Sequence, residues 1–223
     1  MSAAIAQAFD CSQVECIVFD MDGTLLDLHF DNLVWNDRLP RFHAAITRLD
    51  FSSAHRLIRE TLERTRGTLR YYCLDHWSHE FGIDLHDIER ELARFIRVRP
   101  GVRGLLDRAR ARGLRLVLAT NAHPQSLARK LNLTGLGRAF DVVVSAHDLG
   151  YPKEDDGFWS NLGEQLHIIP QRAMFIDDNP SVLHAAQRYG LRALYGIARP
   201  DSRGPRVRLG EFHCLESFDE LCA

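Results

Sequence analysis

Asp20 and Asp22 stand two residues apart in Asp20-Met21-Asp22-Gly23-Thr24-Leu25, directly after the apolar run Cys16-Ile17-Val18-Phe19. Two carboxylates at the end of a buried strand can supply oxygen ligands to Mg²⁺. One of them can also accept a phosphoryl group covalently while the other moves protons. Asp and Gly are common turn formers as well, so the pair alone reads equally as a turn. Three further polar elements shift the balance. Thr120-Asn121 follows the run Leu116-Val117-Leu118-Ala119, Lys153 follows a loop containing His147 and Asp148, and Asp177-Asp178 follows Ala173-Met174-Phe175-Ile176. In an open α/β sheet, ligands bind outside the carboxyl ends of the strands. Two pairs of carboxylates, a hydroxyl and an ammonium at one sheet edge form an inventory for moving a phosphoryl group with Mg²⁺.

The elements that must position these residues are legible as five short apolar runs: 14–19, 115–119, 140–145, 173–176 and 191–195. Near-continuous apolar strands are expected where a parallel sheet is covered on both faces. Helical patterns separate the last four runs. Val102, Leu105, Leu106 and Ala109 share a face ahead of Gly113, and Val182, Leu183, Ala186 and Tyr189 follow Asn179-Pro180. The expected fold is α/β, a doubly wound parallel Rossmann-like sheet.

Residues 27–99 hold no strand-like run. Four helical stretches are read there instead, at 32–49, 52–66, 69–81 and 87–98, with Asp84 as a cap for the last. Leu69, Tyr72, Cys73 and Trp77 are expected to share a face. A structureless loop of that length is unusual, so the segment reads as an α-helical insertion after the first strand. The division expected is an α/β core of 1–26 and 100–223 with a helical domain of 27–99. Residues 199–208 mix Arg, Pro and Gly and read as a solvated loop.

The chain of 223 residues has a formal net charge of −2, which leaves no footprint for nucleic acid or an anionic membrane. Its cysteines, at 11, 16, 73, 214 and 222, are odd in number and form no C-x-x-C, which suggests neither a disulfide framework nor a zinc site. The first nineteen residues lack Lys and Arg, so no charged signal-peptide segment is read, and no apolar run is long enough to span a bilayer. A cytoplasmic location is expected. Of the 28 Lys and Arg residues only Lys130 and Lys153 are lysines. A lysine retained against that bias hints at a need for a compact ammonium. The neighbours of Lys153 support such a need, whereas Lys130 reads as chance survival.

Asp20-Met21-Asp22-Gly23-Thr24-Leu25, Thr120-Asn121, Lys153 and Asp177-Asp178 resemble the four motifs of the haloacid-dehalogenase-like hydrolase superfamily, and 27–99 falls where that superfamily places a C1 cap. Leu26-Asp27-Leu28, Tyr72-Cys73-Leu74-Asp75, Thr120-Asn121-Ala122-His123-Pro124 and Gly150-Tyr151-Pro152-Lys153-Glu154-Asp155 are similar to segments of the superfamily's bacterial GMP/IMP nucleotidases. The resemblance implies that Asp20 attacks phosphorus and that Asp22 serves as acid and then base. It implies that Thr120, helped by the Asn121 backbone, holds the phosphoryl oxygens and that Lys153 neutralises charge. Mg²⁺ would be held by Asp20, Asp178, the Asp22 carbonyl and, directly or through water, Asp177. Pro152-Lys153 reverses the superfamily's usual order of these two residues.

Asp22 is absent from true dehalogenases, so its presence favours phosphate esters. The implied function is a Mg²⁺-dependent phosphomonoesterase, in particular a purine 5′-nucleotidase whose partner is a small phosphorylated metabolite. Sugar-phosphate phosphatases or phosphomutases of the superfamily are the alternative, and a non-catalytic phosphate-binding regulator is another. Phe30, Trp35, Tyr71, Tyr72 and Trp77 can stack on a purine, and Asn32, His76 and His123 can bond its edge or ribose. For any single one of these aromatics core is the favoured reading, because aromatic residues at helical spacing usually pack.

Overall fold

Residues 13–221 are described by a computed structural model. The portions of the expected core at 1–12 and 222–223, with Cys11 and Cys222 and most of the reading of the N-terminal segment, lie outside them. Six strands form one parallel sheet: β1 (Cys16–Phe19), β2 (Arg115–Thr120), β3 (Val142–Ser145), β4 (Ala173–Ile176), β5 (Ala193–Ile197) and β6 (His213–Leu215). Their order is β3-β2-β1-β4-β5-β6, the doubly wound arrangement.

Alternation along the strands builds two cores. Ile17, Phe19, Leu116, Leu118, Met174 and Ile176 face one side, with Val102, Leu105 and Ala109 of helix α6 (Val102–Ala111). Cys16, Val18, Val117, Ala119, Ala173 and Phe175 face the other. They are covered there by Phe158, Trp159 and Leu162 of α9 (Asp156–Leu166) and by Val182, Leu183 and Ala186 of α10 (Pro180–Tyr189). Burial on both faces explains why the central strands carry no polar alternation. Helices α7 (Pro124–Thr134) and α8 (Ala146–Leu149) follow β2 and β3.

The insertion is helical, as the sequence predicts, with shifted boundaries. Helices α1 (His29–Leu33) and α2 (Leu39–Thr47) join through a π-helical turn, Val34–Arg38. Pro40 has no N–H and cannot continue the α ladder, and the turn widens just before it. Helix α3 spans Phe51–Glu63. The predicted helix 69–81 divides into a 3₁₀ turn, Leu69–Tyr72, and α4 (Leu74–Phe81), so the expected shared face of Leu69 and Trp77 is broken. Asp84 does cap α5 (Leu85–Leu92), accepting from the N–H groups of His86 and Asp87.

The predicted extension of that helix to 98 fails for a tertiary reason. Asp27 N bonds to Arg97 O at 2.9 Å and Arg99 N to Leu25 O at 3.0 Å, so the returning chain is extended and pairs with the departing one. Phe30, Val34, Trp77, Leu85 and Ile88 join the core beneath the sheet rather than forming a separate one.

Two other expectations are corrected. Strand β6 is too short and too polar to stand out in the sequence, and its position comes from pairing with β5. The stretch 199–208 is not simply solvated. Arg99 donates to the carbonyls of Arg199 and Pro200, Leu28 N to Pro200 O, and Ser202 N to Asp27, so this loop grips the base of the insertion. Among the described residues no helix is long and apolar enough to cross a membrane.

Candidate active site

Strand register brings the site together. Phe19 is level with Leu118 on one side and Ile176 on the other, so the next residues, Asp20 and Asp177, leave the sheet side by side. Thr120 ends β2 one position further on. Lys153 reaches the same point from the loop before α9. Its ammonium, 2% exposed, lies 2.5 Å from Asp20 Oδ1 and 2.7 Å from Asp177 Oδ2. Trp159 Nε1 donates to the Lys153 carbonyl at 2.8 Å and Asn121 Oδ1 accepts from its N–H at 2.9 Å, which fixes the lysine backbone on both sides. The reversed Pro152-Lys153 order thus still delivers the ammonium.

Asp20, Asp177 and Asp178 each offer an oxygen within 4.8 Å of the others. Burial pushes all three carboxyls up; Lys153 opposes this at each of them, and Asp177 is left at about 7. For Asp178 the charges of Asp20 and Asp177 add to burial. Burial also works against the Lys153 charge, but the two carboxylates outweigh it and hold the ammonium protonated. Asp20 Oδ2 is buried without a hydrogen-bond partner. Three carboxylates against one ammonium leave excess negative charge, and the all-oxygen donor set fits a hard divalent cation. The Asp22 carboxylate is not in this cluster; the sequence reading assigned the metal its carbonyl.

The Asp22 side chain turns instead to Lys130, and here the sequence reading is corrected. Lys130 is no chance survivor: it is 2% exposed, with Nζ 2.7 Å from Asp22 Oδ1 and 2.7 Å from Asp31 Oδ1. The two lysines of the chain therefore each hold one aspartate of the Asp20-x-Asp22 pair. Burial, reinforced by the Asp22 charge and opposed by Lys130, pushes the Asp31 carboxyl up to about 7.

Thr120 is 1% exposed, and its Oγ1 accepts from Ala122 N at 3.1 Å, leaving the hydroxyl proton free to donate. The Asn121 side chain is committed to structure, since it holds Lys153 N and donates to Glu154 Oε2 at 3.0 Å. Only its backbone remains for a ligand. Of the aromatic candidates, Phe30 and Trp77 are each 1% exposed and belong to the core. Trp35 is half-buried against it. Tyr72 donates its hydroxyl to Glu154, tying the insertion to the Lys153 loop. Asn32 donates to Asp201 Oδ2 at 2.7 Å, which engages its amide with the loop after β5.

Lys130, Asp31 and Glu154 were missed as site neighbours. The rarity of lysine is the one signal in the sequence that points to Lys130; its partners lie far away in the chain. A second group, Asp75, His86 and His123, also spans insertion and core, with His86 Nε2 2.8 Å and His123 Nε2 3.5 Å from Asp75 oxygens. The other ring nitrogens of both histidines are buried without partners, whereas metal-bound imidazoles normally engage a carbonyl or carboxylate there. The group is accordingly an insertion–core contact.

The family model of haloacid dehalogenase-like hydrolases matches residues 14–190. The chain is 38% identical over 189 residues to the GMP/IMP nucleotidase YrfG of Escherichia coli K12, covering 85% of each chain. It is 24% identical to a phosphorylated carbohydrates phosphatase of Thermotoga maritima, over 82% of this chain and 85% of the relative. Its fold is similar to the crystal structure of a HAD phosphatase from Thermococcus onnurineus, with a TM-score of 0.76, 21% identity and coverage of 93% and 95%.

Proposed function

Because the chain belongs to the haloacid dehalogenase-like hydrolases, we propose that it is a Mg²⁺-dependent phosphomonoesterase of that family acting on purine nucleoside 5′-monophosphates, GMP and IMP first. The observation that carries the chemistry is the meeting of Asp20, Lys153 and Asp177 at adjacent strand ends. The 38% identity to a GMP/IMP nucleotidase supports the choice of nucleotide. In this reading the insertion, residues 27–99, is a cap that faces the substrate.

Asp20 attacks phosphorus through its unpartnered Oδ2, while Lys153 holds Oδ1. The phosphorus–ester oxygen bond breaks as the aspartyl-phosphate forms, and Asp22 gives its proton to the departing alkoxide. Asp22, now ionised, takes a proton from the water that hydrolyses the aspartyl-phosphate and returns Asp20. The Thr120 hydroxyl and the Asn121 backbone orient the phosphoryl oxygens. Asp20, Asp177 and Asp178 would hold Mg²⁺, which when bound neutralises charge on the phosphoryl group. Trp35 and Tyr72 are the insertion's aromatic residues assigned to the base in this reading, Tyr72 through its tie to Glu154 beside Lys153.

A phosphate-release screen tests this reading. GMP, IMP, hexose phosphates and p-nitrophenyl phosphate are compared in Mg²⁺ and in EDTA, with Asp20→Asn as the control. Turnover confined to Mg²⁺, highest in kcat/KM for GMP or IMP and absent in Asp20→Asn, is the expected result. Hexose phosphates turned over as efficiently as GMP would remove the nucleotide assignment. Equal turnover in EDTA would remove the mechanism.

A further inference from the structure

Lys130 stands on α7, outside the four sequence motifs, yet its ammonium reaches the second aspartate of the first motif. It donates to Asp31 Oδ1 at 2.7 Å and lies 2.7 Å from Asp22 Oδ1, with the Phe30 ring 5.0 Å below it. Burying an ammonium costs several kcal/mol in desolvation unless its partners compensate. The partners come from two places, Asp22 from the loop after β1 and Asp31 and Phe30 from α1 of the insertion, and Lys130 joins them from α7 of the core.

Glu89, the other nearby carboxylate, is occupied by Ser126 Oγ at 2.6 Å and by Arg129, so Lys130 is left to the two aspartates. A guanidinium could not address two carboxylates and a ring face from one compact point. Asp22 Oδ1 lies at ion-pair distance but has no hydrogen-bond partner. The lysine therefore holds the carboxylate in place by its charge at close range.

We infer that Lys130 is a positioning residue for Asp22, and that through Asp31 it makes the placement of that carboxylate depend on the seating of the helical insertion. This rests on the proposed reading of Asp22 as the group that protonates the leaving alkoxide. The proton transferred is the carboxyl's own: it moves to the ester oxygen as that oxygen takes the bonding pair from phosphorus. Lys130 keeps all three of its protons.

Two esters separate positioning from folding. p-Nitrophenolate leaves without a proton, whereas the alkoxide of β-glycerophosphate needs one. Lys130→Met should lower kcat/KM for β-glycerophosphate about tenfold more than for p-nitrophenyl phosphate, a fraction of the ~10²–10⁴-fold that general acid catalysis supplies. The double variant Lys130→Met/Asp31→Asn removes one cation and one anion together, so it preserves the charge balance of the cluster. It should fold and show the same selective loss. Equal losses on both esters, no loss on either, or unfolding of both variants would overturn the inference and leave the phosphatase reading standing. A wild-type protein that releases phosphate from neither ester nor from GMP or IMP would overturn both. Neither ester is a nucleotide, so a failure of the purine preference does not touch this result.

Discussion

Gly23 and Asp178 are in contact across the loop that follows β1: a Cβ at residue 23 would lie 2.3 Å from Asp178 Oδ2 and 2.6 Å from its Cγ. Gly23 also has φ +87°, a conformation that L side chains rarely adopt. The glycine of the first motif thus makes room for the carboxylate of the fourth. Gly23→Ala should cost about 1–2 kcal/mol from the backbone alone and should displace Asp178. Thermal unfolding reads the first effect, and the Mg²⁺ concentration for half-maximal turnover reads the second. An unchanged metal requirement would mean that Asp178 does not depend on this glycine.

Among the described residues Lys153 is the cation paired with Asp20 and Asp177, so Lys153→Met leaves two buried carboxylates without that partner. Removing one partner of a buried ion pair typically costs ~3–5 kcal/mol. Lys153→Arg should also fail to restore turnover, since a planar guanidinium must enter a site where the lysine is 2% exposed. Rates near wild type for Lys153→Arg would show that charge alone suffices.

Asp177 should give an unusual pH dependence. Its folded value, about 7, stands above the ordinary 3.8, so its contribution to stability is present at low pH and is lost as pH rises through about 7. Measured in EDTA, the stability of the wild type relative to Asp177→Asn should therefore fall between about pH 4 and pH 7 and level off above. The slope can reach at most about 1.4 kcal/mol per pH unit for one group. A difference that is flat, or that rises, would contradict the burial assigned to this carboxyl.

The aromatic residues of the insertion should divide. Trp77 is 1% exposed and donates Nε1 to Tyr71 O at 2.9 Å, so Trp77→Ala should lower stability by about 3–5 kcal/mol and reduce every rate together. Trp35→Ala should spare p-nitrophenyl phosphate while lowering kcat/KM for GMP by roughly ten- to a hundred-fold, the worth of one stacked base. Parallel losses on both substrates would place Trp35 in the core with Trp77.

Cys16 is 7% exposed at the start of the central strand, and burial pushes its thiol up to about 11 against the opposing charge of Arg115. At pH 8 only about 0.1% would be thiolate, the reactive form. Alkylation of the native protein at pH 8, followed by peptide mass spectrometry, should leave Cys16 unmodified until denaturant is added.

The positions of the motifs were legible because strand ends are local features: an apolar run that stops at a carboxylate predicts where that carboxylate emerges. Asp20, Thr120, Asp177 and Asp178 stand at or just beyond strand ends for that reason, while Lys153 reaches Asp20 and Asp177 from the loop before α9. The contacts of Lys130 were not legible. Its partners Asp22 and Asp31 lie about a hundred residues away, and no periodicity marks a lysine whose stem is buried. The same holds for Asn32 and Asp201, and for β6, whose three residues are a strand only because β5 lies beside them. Where pairing overrode propensity, as at 97–99, the cause was the extended partner at 25–27.

The strand order has a consequence for biosynthesis. Of the six strands described, β1 is made before the others, yet it lies in the sheet between β2 and β4. Its first partner is complete only at Thr120 and its second at Ile176. At ~5–20 residues per second, the apolar edge Cys16-Ile17-Val18-Phe19 waits on the order of ten seconds or more for both neighbours. The helical segment made in the interval contributes Phe30, Val34 and Trp77 to the same apolar cluster as Ile17 and Phe19. Among the described residues it is therefore material made before β2 that can shelter that strand, and slow or truncated synthesis between residues 30 and 120 would leave the strand exposed to aggregation.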